Sequence, residues 1–138
     1  MKISKKGEYA LKAVIYLSLH YGKRAVQIKE ISENENIPKK FLEQILLSLR
    51  KAGLLQSKPG SGGGYSLSRP PGEITLAEVI RIIDGPLAPI RCVSKWAPLK
   101  CPIEKDCGLQ RVMQKVRNAI VRILENVTFE DMCKGKKH

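Results

Sequence analysis

The sequence predicts a mainly α fold with a small β-hairpin wing: a winged helix-turn-helix followed by a long C-terminal dimerisation helix. Three observations predict it. Apolar residues recur at helical spacing in three short segments before Gly53, separated by residues that favour turns. Two strand-like runs then flank Pro59–Gly64, a turn made almost wholly of glycine, proline and serine. Further on, Leu109, Met113, Val116, Ile120, Ile123 and Val127 step by four, three, four, three and four, the spacing of a helix-pairing seam.

The elements follow in order. Tyr9, Ala13, Val14, Leu17 and Tyr21 form the stripe of a first helix from Ser4, with Gly22 as its terminator. A second, short helix over Val26–Glu33 shows Ile28 and Ile31 on one face, and Asn34–Asn36 interrupts it. Pro38 opens a third helix that Gly53 closes, with Phe41, Leu42, Ile45, Leu46 and Leu49 facing inward. Leu54–Lys58 and Tyr65–Ser68 read as the two strands of the wing. Thr75 caps a helix from Leu76 to Asp84, with Glu78 placed as its capping-box partner, and Gly85-Pro86 stops it. The predicted organisation is a DNA-binding winged helix-turn-helix over 1–72, a connecting helix over 73–91, a cysteine-rich cluster-binding loop over 92–107, a dimerisation helix over 108–127 and a C-terminal tail over 128–138. Val112, Ala119 and Leu124 widen the seam of the long helix enough to touch the rest of the protein.

Lys and Arg number 25 against 13 Asp and Glu, a formal net charge of +12. An excess of that size favours polyanions, nucleic acid first. A helix-turn-helix sets the start of its second helix in the major groove, which here presents Lys39, Lys40, Glu43 and Gln44. Lysine bonds phosphate or guanine, glutamine bridges adenine, and glutamate accepts from the cytosine amino group. The wing, with Lys58, Ser61 and Gly62, approaches the backbone or minor groove because its glycines carry no side chains. The competing reading is a winged helix used only for protein contacts, with the lysines as a solvated face. A pairing helix implies a homodimer on double-stranded DNA with a near-palindromic operator. No run approaches the roughly 18 apolar residues of a membrane span, and the start of the chain lacks the apolar core of a signal peptide. The expectation is therefore a cytoplasmic protein with no membrane partner. Gly60–Gly64 leads into a strand rather than a phosphate-binding helix, and no Ser/His/Asp set stands out, so no enzyme is expected.

Three of the four cysteines, Cys92, Cys101 and Cys107, lie within sixteen residues that also hold Pro98, Pro102 and Trp96. Such a segment is no continuous helix. In a cytosolic chain, cysteines point to metal, cluster or redox chemistry rather than to a disulfide framework. Thiolates are the usual protein ligands of iron–sulfur clusters, and Lys95, Lys100 and Lys105 would offset cluster charge. Zinc fits the set less well, since no C-x2-C pair is present. Free or reversibly oxidised thiols are the second reading. Cys133 lies beyond the long helix as a bystander or exposed thiol, and His20 and His138 suit surface or capping roles better than ligation.

The chain resembles the winged-helix repressors typified by IscR, NsrR and CymR. The resemblance rests on Met1–Ala10, Phe41–Leu46 with Leu49–Leu54, Gly62–Tyr65, Ile74–Ile80, Asp84–Pro86 and Asn126–Met132. It implies a dimeric transcription factor, and in cluster-binding members three cysteines before the dimer helix hold the cluster. By position those are Cys92, Cys101 and Cys107. Glu43 falls where IscR has a glutamate that tunes which DNA sites the cluster-free form accepts. The histidine ligand of IscR-like members is replaced by Gln110, which favours a four-iron [4Fe–4S] over a two-iron [2Fe–2S] cluster. NsrR-like members take a carboxylate from near the partner's N-terminus, and Glu8 occupies that place. Asp106, Gln110 and a solvent or small-thiol ligand are the alternatives. The wide first cysteine spacing is nearer that of RirA-type members, and Pro59 stands where IscR-like wings carry an arginine, leaving Lys58 as its substitute. CymR-like relatives act without a cluster, which implies a thiol- or partner-controlled repressor as the alternative function.

Overall fold

The computed structural model describes residues 2–89 and 108–134. Along them run α1 (Lys5–Leu19), α2 (Ile28–Glu35), α3 (Lys39–Lys51), β1 (Leu55–Lys58), β2 (Gly64–Leu67), α4 (Leu76–Asp84), α5 (Gly108–Asn126) and α6 (Phe129–Cys133), with a 3-10 turn at Pro71–Glu73. The mainly helical fold with a two-stranded wing stands as the sequence predicts.

Helix α1 begins at Ser4, whose hydroxyl accepts the Gly7 N–H at 2.9 Å. Ser4 is itself gripped from the far end of α4: its N–H donates to Asp84 Oδ2 at 2.9 Å and its hydroxyl donates to Asp84 Oδ1. A β-carbon at Gly7 would lie 2.5 Å from that carboxylate, so the grip needs glycine there. Ala10, Ala13, Val14 and Leu17 then run through the centre of the core, against Ile31, Ile37, Leu42, Ile45, Leu46 and Leu49 of the helix-turn-helix. The turn is made by Asn36 in the left-handed region (φ 56°), closing α2 with its N–H on the Ser32 carbonyl. Asparagine is among the few non-glycine residues that visit this region readily.

β1 and β2 pair antiparallel, Leu55 with Leu67 through Lys58 with Gly64. The wing is docked by burial of Leu55 and Leu67 in the core and by a bridge: Val26 N–H donates to the Tyr65 carbonyl at 2.8 Å, and Tyr65 N–H to that of Val26 at 2.7 Å. Thus Val26 is bridged to the wing, and α2 starts two residues later than the apolar pattern suggests. Phe41 also departs from its predicted inward place, being 45% exposed and tilted against Tyr9 at 6.0 Å between ring centroids. Near the start of α3 the apolar stripe is wider than the buried face.

Thr75 caps α4, its hydroxyl accepting the Glu78 N–H at 3.3 Å. The Glu78 carboxylate does not close a capping box; it accepts from Arg69 instead. Helix α5 lays Ile120, Val121 and Leu124 on Ala77, Ile80 and Leu87, and Arg81 reaches Glu125 at 2.6 Å. Leu109, Val112, Val116 and Ile123 face away and are exposed. The predicted seam is thereby divided, since Ile120 belongs to the body while Val112 joins the outer face. The stretch from 128, read from sequence as a tail, contains α6. Thr128 and Asp131 form a reciprocal capping box, at 3.1 and 3.0 Å, and Phe129 is fully buried in the main core.

Candidate nucleic-acid interface

Two basic features stand exposed on the fold, the start of α3 and the wing loop. Burying Leu42, Ile45, Leu46 and Leu49 turns Lys39, Lys40, Glu43 and Gln44 outward, and all four are exposed. No acidic side chain occupies the first turn of α3, so its positive helix end is uncompensated. The wing loop is equally open at Lys58, Ser61 and Gly62. Its tightness comes from two glycines: a β-carbon on Gly63 would meet the Lys58 carbonyl oxygen at 2.1 Å, and one on Gly64 (φ 135°) would meet that of Val26 at 2.3 Å. The first loss would open the loop; the second would undock the wing.

Beside the wing lies a group that reading the sequence missed. Arg24 lines the crease between the start of α2 and the wing, together with Gln27, Lys29, Gly62 and Gly63. It donates twice to Glu30, at 2.8 and 2.6 Å, and the Tyr16 hydroxyl donates to the same carboxylate at 2.5 Å. The Arg24 hydrogen bonds hold the Glu30 carboxyl down to about 2, against the opposing effect of its partial burial. Burial, then the hydrogen bond and charge of Glu30, push the Tyr16 hydroxyl up. His20 stacks on Tyr16 and its Nδ1 pairs with the Tyr16 carbonyl at 2.9 Å, a local capping role. Arg24 and Glu30 are six residues apart across a bend, so no periodicity pairs them in the sequence.

Cys92, Cys101 and Cys107 lie outside the described residues, as do Asp106 and His138. The segment that carries them joins α4 to α5. Glu8 stands on the first turn of α1, one residue from the Gly7–Asp84 contact, exposed and 3.6 Å from Lys5. Gln110 lies half-buried on the first turn of α5. Cys133 is half-buried, its sulfur 4.0 Å from the Ile15 carbonyl oxygen of α1. Among the described residues no cluster of His, Cys, Asp and Glu could hold a metal ion, and no described helix is long and apolar enough to cross a membrane.

The model of the Rrf2 family, described as iron-dependent transcriptional regulators, matches residues 3–135. The chain belongs to the Rrf2 family. An rrf2-like HTH-type transcriptional regulator of Rhodobacter capsulatus is 39% identical over 136 residues, covering 94% of this chain and 91% of that one. Among solved Rrf2-type structures, CymR, the global cysteine regulator of B. subtilis, superposes with a TM-score of 0.86 at 30% identity over 99% of both chains. IscR of T. potens superposes with a TM-score of 0.76 at 32% identity, over 97% of this chain and 87% of that one. Rrf2 members are DNA-binding transcription regulators rather than enzymes, and here the start of α3 and the wing expose Lys39, Lys40 and Lys58.

Proposed function

We propose that the protein is a homodimeric transcriptional regulator, acting in the cytoplasm where its DNA lies, whose DNA affinity is set by an iron–sulfur cluster on Cys92, Cys101 and Cys107. The observation that carries this reading is the place of the cysteine segment. It sets three cysteines in sequence between α4, packed on α1 and α3, and α5, whose outer face of Leu109, Val112, Val116 and Ile123 has no cover among the described residues. The family's description as iron-dependent supports the same assignment. Soft thiolates suit iron–sulfur ligation, and a fourth place left to the partner's copy of an exposed carboxylate, Glu8, suits an exchangeable ligand. The replacement of histidine by Gln110 favours [4Fe–4S] over [2Fe–2S]. A cluster held there by Cys92, Cys101 and Cys107 would supply a centre responsive to iron, oxygen or nitric oxide. Ordering of the segment would fix the spacing of two α3 helices on a near-palindromic site, where Lys39, Lys40, Glu43 and Gln44 read the major groove and Lys58, Ser61 and Gly62 meet the backbone or minor groove.

The test is an anaerobic visible spectrum with iron and sulfide counted per chain, followed by duplex binding before and after exposure to air. A brown chromophore lost in Cys92→Ala, Cys101→Ala or Cys107→Ala, with DNA affinity changing alongside, is expected. A colourless protein that anaerobic reconstitution leaves colourless would remove the cluster. The close superposition on CymR favours, as second reading, a cluster-free repressor controlled by thiols or a partner.

A further inference from the structure

Arg24 sits at the root of the wing and borders two hollows. One lies against the start of α2; the other is floored by Gln56, Ser57 and Lys58. Its side chain is half exposed, at 48%, yet its guanidinium is not free to wander, because Glu30 accepts from both terminal nitrogens. Glu30 in turn is held by the Tyr16 hydroxyl of α1, a helix that runs through the core. Guanidinium carries five N–H donors in a rigid fork, and Glu30 takes two. The Tyr16 oxygen engages one more, which leaves two for a ligand. Around them stand Lys29, Gln27 with no capping bond of its own, and the side-chain-free Gly62 and Gly63. Glu33, the other acid of the hollow, is spanned by Lys29 at 4.0 Å.

We propose that Arg24 contacts a backbone phosphate of DNA in the crease between α2 and the wing, with Glu30 and Tyr16 as the positioning residues that aim it. The inference rests on the DNA-binding reading and adds to it a contact distinct from those of α3 and the wing loop. A carboxylate alone on a DNA-facing surface repels phosphate. Joined to Arg24 it costs little net charge and spares the arginine side chain much of the rotamer freedom it would lose on binding. Glu30 therefore favours DNA binding only through Arg24, and opposes it without Arg24. That reversal is the signature of the arrangement.

The experiment uses the full-length protein, a duplex selected from a random pool with the wild type, and a scrambled duplex. Affinity is followed against salt for the wild type, Arg24→Ala, Arg24→Lys, Glu30→Gln, Tyr16→Phe and Arg24→Ala/Glu30→Gln, with thermal melting of each. Arg24→Ala is expected to lower the magnitude of the log K against log salt slope by about 0.9. It should weaken both duplexes by the same factor, about tenfold. Arg24→Lys should keep the slope and recover only part of the affinity. Glu30→Gln, and Tyr16→Phe to a smaller extent, should weaken binding when Arg24 is present. Glu30→Gln should strengthen it in the Arg24→Ala background. An unchanged slope in Arg24→Ala, or one sign for Glu30→Gln in both backgrounds, would overturn the proposal while leaving the wild type a DNA binder. A wild type with no salt-dependent duplex binding would overturn the DNA reading and the proposal together.

Discussion

Phe129→Ala tests how far the end of the chain belongs to the core. Phe129 is fully buried, and its N–H donates to the Ile74 carbonyl at 3.0 Å while Leu76 N–H donates to that of Val127 at 3.0 Å. These bonds staple the α5–α6 corner to the start of α4. A buried phenylalanine hides about 150–250 Å², and truncation to alanine in a packed core costs about 3–5 kcal/mol. A domain of this kind has about 5–15 kcal/mol in hand, so the variant should lose about a fifth of its stability or more. Its melting point should fall by about 10 °C. Urea unfolding followed by far-UV circular dichroism measures the loss. Met132→Ala, half-buried at the edge of the same core, should lose less. A loss below about 1 kcal/mol in Phe129→Ala would mean that α6 is not docked in solution, and the account of this corner would be wrong.

Glu30 should make stability depend on acid pH. Its folded pKa is lowered from 4.5 to about 2, so its contribution is fully present above the unfolded value and is lost as pH falls from there towards 2. The pair is partly exposed, which reduces the effect to about 1 kcal/mol, read as convergence of wild type and Glu30→Gln in urea titrations between pH 6 and 3. Gly64→Ala should cost about 1–3 kcal/mol and weaken DNA binding, because the added carbon strikes the Val26 carbonyl oxygen at a φ of 135°; native affinity in a folded Gly64→Ala protein would refute it. Val116→Glu with Ile123→Glu, on the outer face of α5, should yield a folded monomer by sedimentation, and a dimer that persists would place the pairing surface elsewhere.

The helix-turn-helix was legible because each of its parts leaves a local mark: a stripe of period 3.6 in α1 and α3, asparagine at the turn, glycines in the wing. The signals that failed are of two kinds. Periodicity reports that a side is apolar without saying what covers it, so Phe41 was placed inside and the two faces of α5, both with three-and-four spacing, were merged into one seam. Helix α6 has five residues, too few for any period, and only Thr128-x-x-Asp131 marks it as a capped start rather than a tail. The pairing of Arg24 with Glu30 and Tyr16 joins three segments and is invisible before the chain is folded. For the candidate site, residue types and spacing pointed to α3, the wing and the cysteines; the first two are exposed, the cysteines lie outside the described residues, and Arg24 needed the structure.

The ties of α4 bear on how a signal in the cysteine segment would reach DNA. Asp84, the last residue of α4, holds Ser4 at the start of α1. Arg81 holds Glu125 of α5, and Thr75 bridges to Thr128 beyond it. Both ends of α4 are thus fixed to other helices, and α4 itself packs on α1 and α3. A change at residues 90–107 pulls on Pro89 and Gly108, the described ends of the α4 and α5 sides. Because α4 is tied to α1 at one end and to the α5–α6 corner at the other, such a pull acts on helices as units rather than on single side chains. The quantity it would most directly alter is the placement of α5 against α4. In a dimer paired through the outer face of α5, that placement sets the distance between the two copies of α3. The residues proposed to read DNA would not need to move within their own domain for affinity to change.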